Sequence, residues 1–160
     1  MNQNQQLKNI FDSLRLPSRF MFTEFVNSIQ VYVSKEIIFW PWQFPPNITG
    51  ACLDGDKTIY IFYAEDATPI ITILIKIHEL IHIIHVNRDT QLHRQEEMIL
   101  KEMILQTGIH YRSDVNNMIM RSVSSSRLEA EVEEMALAIV SQLLPERSGS
   151  TLSLAHINLD

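Results

Sequence analysis

Thr68-Pro69-Ile70-Ile71-Thr72-Ile73-Leu74-Ile75-Lys76-Ile77-His78-Glu79-Leu80-Ile81-His82-Ile83-Ile84-His85-Val86 is the stretch on which the reading of this chain turns. Thr68 is a good helix-capping residue, and Pro69 suits the first helical position, where a missing N–H costs nothing. The run that follows is apolar nearly all round, which predicts a buried central helix to about Val86. It is also the most apolar stretch of the chain, yet Lys76, His78, Glu79, His82 and His85 make it a poor membrane span. Polar groups buried in such a helix need partners.

His78 and His82 are four residues apart, so on a helix both imidazoles share a face and can reach one ion. Glu79 points about a quarter turn away from that face. In a His-Glu-x-x-His metal site this places a carboxylate beside the metal-bound water, as its general base. The competing reading, a helix with two solvent-facing histidines, is disfavoured by the flanking Ile75, Ile77, Leu80, Ile81, Ile83 and Ile84. His85 lies two turns from His78, about 10 Å along the axis, too far for three rings to surround one ion. It is expected at the rim of the site or facing the helix dipole. His110 and Tyr111 are candidates for contact with a substrate.

Upstream, Ile48 to Leu53 and Thr58 to Tyr63 read as strands, and Asp54-Gly55-Asp56-Lys57 is a hairpin turn between them. Ile37 to Trp40 reads as a further strand ended by Pro41. Leu7 to Leu16 and Thr23 to about Glu36 read as amphipathic helices. Downstream, helices are expected over Leu92 to Gln106, over Asp114 to about Val123, and from Arg127, capped by Ser126, to Leu144. The pattern predicts an α+β fold, mostly helical, with a small antiparallel sheet packed beside the buried helix. Residues 1–145 form a single domain in this reading, and residues 146–160 a loosely held tail.

A third ligand must come from another element. Along the last helix the core stripe is Leu128, Val132, Met135, Ile139 and Leu143. Glu129 and Glu133 share one flank of it, Glu131 lies on the other, and Glu134 faces outward. Glu129 and Glu133 either look into the site together or belong to a solvated acidic face.

The 160 residues carry a net charge of -6, with scattered basic residues, which argues against a nucleic-acid partner. Cys52 is the only cysteine, so no internal disulfide and no cysteine-based zinc site exists, in keeping with a reducing compartment. The polar start, Met1 to Gln6, does not read as a signal peptide, and a cytoplasmic protein is expected.

Taken together, the segments Ile48 to Leu53, Thr58 to Tyr63, His78 to His82 and Leu128-Glu129-Ala130-Glu131-Val132-Glu133-Glu134-Met135-Ala136 resemble the ImmA/IrrE family of metallopeptidases, over about Phe22 to Pro145. Ile81 stands where that family usually has a small residue. The resemblance implies a gluzincin-like, zincin-type fold and a bound Zn2+ held by His78, His82 and Glu129. It places Glu133 where a carboxylate steadies a metal-bound histidine, and Glu79 as the catalytic base. It further implies a protein substrate, typically a helix-turn-helix transcriptional repressor of a phage or mobile element. The alternative is a non-catalytic regulatory or toxin-like binding module that keeps its metal for stability. Retention of Glu79 favours the enzyme, since a structural metal has no need of a base beside it. An extracellular or wall-directed peptidase is disfavoured by the polar N-terminus.

Overall fold

The computed structural model describes residues 3–85, 94–107, 118–122 and 127–145. Among these, five helices and a four-stranded sheet give an α+β architecture. The expected central helix is α3 (Pro69–His85). The Thr72 N–H donates to the Thr68 carbonyl at 2.8 Å, closing its first turn. Ile75, Ile77, Leu80 and Ile81 on it are buried, as are Lys76, His78, Glu79 and His82. No helix among the described residues is long and apolar enough to cross a membrane.

β2 (Ile48–Asp54) and β3 (Thr58–Ala64) form the expected hairpin, with the Gly55 N–H donating to the Thr58 carbonyl at 2.9 Å. The rest of the sheet departs from expectation. β1 (Glu36–Trp42) pairs with β3, in parallel, and the strand order is β1-β3-β2-β4. The sheet is therefore mixed, not antiparallel. Residues 43–47 turn the chain back after β1, but β2 settles one strand-width away, and the hairpin returns β3 into the gap. β3 then necessarily runs in the direction of β1. Pro41 does not end β1 but sits within it, opposite Tyr63. An outermost strand accepts proline because its missing N–H faces away from the ladder.

A second correction concerns the helix expected over Asp114 to about Val123. Met118–Ser122 is instead a strand, β4, antiparallel to β2. A short apolar run has no periodicity strong enough to choose between states, and the open edge of β2 supplies ladder partners. Residues 114–117, His110, Tyr111 and the tail 146–160 lie outside the described residues.

Side chains alternate across the sheet as the pleat requires. Ile37, Cys52, Ile59 and Ile61 face α3 and join the main core with Ile73, Ile77, Leu80 and Ile81. α1 (Gln3–Leu14), α2 (Phe22–Val33) and α5 (Arg127–Gln142) complete that layer through Ile10, Phe25, Ile29, Val132, Met135 and Ile139. Ala51, Leu53 and Phe62 face the other way, against Met103 of α4 (Arg94–Thr107). α2 stops earlier than periodicity suggests: Ser34 adopts a left-handed conformation at φ 55°, and the Lys35 N–H donates back to the Gln30 carbonyl, closing the helix before β1. Within that layer α3 and α5 lie against each other, and polar residues of both meet at the contact.

Candidate metal centre

The buried face of α3 turned toward α5 carries His78 and His82, with ring centroids 4.9 Å apart and planes at 61°. Their Nε2 atoms are 3.1 Å from each other. α5 brings Glu129 to the same point: its Oε2 is 2.9 Å from His78 Nε2, and its Oε1 is 3.4 Å from His82 Nε2. The first-turn position of Glu129 on α5 keeps its carboxylate beside the helix N-terminus, which favours negative charge. Burial pushes the Glu129 carboxyl up, but hydrogen bonds and charge from His78 and His82 outweigh it and hold the group down at about 2.

This donor set fits a metal ion. A tetrahedral ion with bonds of about 2.0–2.1 Å separates its ligand atoms by about 3.3 Å; the two Nε2 atoms at 3.1 Å lie near that spacing, and Glu129 offers one oxygen 2.9 Å from His78 and the other 3.4 Å from His82. A neutral imidazole has one N–H, and His78 faces a carboxylate at each ring nitrogen, since Glu133 Oε2 lies 2.9 Å from its Nδ1. With the Nδ1–H donated to Glu133, Nε2 presents a lone pair toward His82 and Glu129. Among the described residues, His78, His82 and Glu129 are the group whose donor atoms all lie within 4.8 Å of one another. The two carboxylates thus occupy different places: Glu129 joins the converging atoms, and Glu133 stands behind the His78 ring. Glu133→Ala is accordingly expected to weaken metal binding by about 10- to 100-fold, short of abolishing it. A competition titration with a chromogenic chelator measures this, and unchanged affinity would remove Glu133 from the site.

The histidine side chains are 1–2% exposed, whereas Glu129 and Glu133 are 23% and 32% exposed. Solvent therefore reaches the cluster from the α5 side. Glu131 is also partly exposed and Glu134 is exposed. Ile81 is fully buried in the main core, so its bulk is accommodated there. His85 ends α3.

Glu79 is fully buried and lies toward the sheet, against Gly50 of β2. A Cβ at Gly50 would stand 2.7 Å from Glu79 Oε1 and 2.9 Å from Ile75 Cγ2, so only glycine leaves room for the carboxylate. No family model matches the chain, and no curated protein or solved structure matches it. The site thus stands on its own geometry.

Two members of this neighbourhood escape sequence patterns. One is Gly50, whose signal is a glycine inside a strand, a mark of close approach. The other is Lys76, fully buried, with Nζ 4.2 Å from the Tyr63 ring centroid and 4.8 Å from that of Phe39. Burial pulls the Lys76 amine down to about 7 and pushes the Tyr63 hydroxyl up to about 12. The signal for Lys76 is a lone cation in an aliphatic helix.

Proposed function

We propose that the chain is a zinc-dependent endopeptidase of zincin type, similar to the ImmA/IrrE metallopeptidases, acting on a partner protein such as a helix-turn-helix repressor. The observation that carries this reading is the convergence of one donor atom each from His78, His82 and Glu129, all within 4.8 Å of one another, with Glu79 buried on the same helix. Two imidazoles and one carboxylate suit zinc and leave one position open, as a catalytic site requires. When bound, zinc lowers the pKa of its water to about 7 and polarises a carbonyl.

The chain's own residues supply the rest. His78, His82 and Glu129 are the holding ligands. Glu133 accepts the Nδ1–H of His78 and so fixes which nitrogen is free. The Glu79 carboxylate accepts the proton of the attacking water and returns it to the leaving amine. Gly50 lets that carboxylate settle against β2. The reading places the protein in the cytoplasm, with a protein partner and no nucleic-acid contact.

The test is elemental analysis of purified protein, followed by incubation with helix-turn-helix repressors, beginning with any encoded beside it. About one zinc per chain and chelator-sensitive cleavage are expected. Absence of bound zinc would overturn the reading. Gly50→Ala should keep its zinc but lose about 100-fold in turnover, since displacing a reacting group by about 1 Å has that effect. Overpacking should cost about 1–3 kcal/mol of stability, read by thermal melting. Normal turnover in the folded variant would show that Glu79 does not need this position.

A further inference from the structure

Lys76 is the only lysine or arginine that is buried among the described residues, and it sits on the helix that carries the metal cluster. A buried ammonium is costly unless its surroundings answer its charge. The Tyr63 and Phe39 ring faces answer part of it. Glu79 is the acidic residue that shares α3 with Lys76. The two are three residues apart on α3, hence neighbours on its surface, and both turn toward the sheet. Tyr63, which lies under the amine, is the ladder partner of Gly50, against which the Glu79 carboxylate rests. The amine and the carboxylate therefore stand over adjacent strands on one rung of the β2–β3 ladder.

A carboxylate buried one residue from a metal ligand can face either the ion or the Lys76 amine. If it swings to the ion, it becomes a ligand and closes the open position. If it stays on the sheet side, that position remains available to water. We propose that Lys76 is a positioning residue that holds Glu79 on the β2 side of α3 and so keeps it a base and not a ligand. Tyr63 and Phe39 in turn fix the amine. This inference rests on the metallopeptidase reading for its consequence in catalysis, but the coupling of Lys76 to Glu79 is a property of the chain itself.

The test compares wild type, Lys76→Met, Glu79→Gln and the double variant, each loaded with Co(II), whose visible absorption reports the ligands around the ion. Methionine keeps the length of lysine and suits burial. The Lys76→Met spectrum is expected to change as the Glu79 carboxylate enters the coordination sphere. Adding Glu79→Gln should restore the wild-type spectrum, because the intruding carboxylate is gone. Thermal melting of the same four proteins without metal forms a double-mutant cycle. A Lys76→Met protein that unfolds while the double variant folds supports the coupling equally. An unchanged spectrum in folded Lys76→Met overturns the proposal. So does a defect that Glu79→Gln fails to relieve, including loss of fold in both variants, since Lys76 then acts through packing alone. If wild type takes up no cobalt, the metallopeptidase reading fails, while the metal-free cycle still decides the coupling.

Discussion

Glu79→Gln is expected to hold wild-type zinc and to have almost no peptidase activity. Glutamine matches glutamate in size, so the contact with Gly50 and the packing of α3 on β2 persist. Glu79 is not one of the converging donor atoms, so the ion should remain. On the proposed mechanism, what disappears is the group that takes the proton from water, worth about 100- to 10,000-fold in rate. Following the length of a cleaved repressor on a gel, with zinc measured on the same preparations, checks both halves. Equal cleavage by the two proteins would refute the assigned role. Intact partner affinity in both, with cleavage by neither, would instead favour the non-catalytic binding module.

The second large effect is loss of the ion. His82→Ala and His78→Ala each remove one of the three converging donors, and each is expected to drop zinc from about one per chain to a small fraction. Glu129→Ala should act in the same direction. Glu131→Ala and Glu134→Ala should leave zinc nearly unchanged, because neither belongs to the converging group. The His78 variant carries a further effect, since it also strands Glu133 without its ring partner. Elemental analysis after gel filtration reads all five. Full retention in His78→Ala/His82→Ala would sink the site, and zinc lost from Glu133→Ala but kept in Glu129→Ala would reverse the two carboxylates.

The buried helix and the pairing of His78 with His82 were legible because helical periodicity and aliphatic surroundings point the same way. The β2–β3 hairpin was legible from a local turn signal at Asp54 to Lys57. The flank shared by Glu129 and Glu133 followed from the α5 core stripe, but which end of His78 each would meet depended on tertiary placement. The insertion of β3 between β1 and β2 left no local trace, since strand order is set by packing between segments. Pro41 misled because its penalty depends on whether a strand lies at an edge, and β4 because five residues carry little periodicity. Gly50 inside a strand and Lys76 alone among aliphatic residues are visible in the sequence, but only the sheet beneath α3 gives them a role.

The joining of His78 to Glu129 ties together positions 51 residues apart in the chain. An ion held there would act as a noncovalent staple closing a long loop, and its binding energy would count toward folding as well as toward chemistry. The entropy of closing such a loop grows only logarithmically with length, about 0.6 kcal/mol for each doubling. The chain between α3 and α5 can therefore lengthen or shorten considerably at little thermodynamic cost, provided β4 still reaches β2. Diversification in that interval, and insertion of new recognition elements there, is compatible with an unchanged reactive centre.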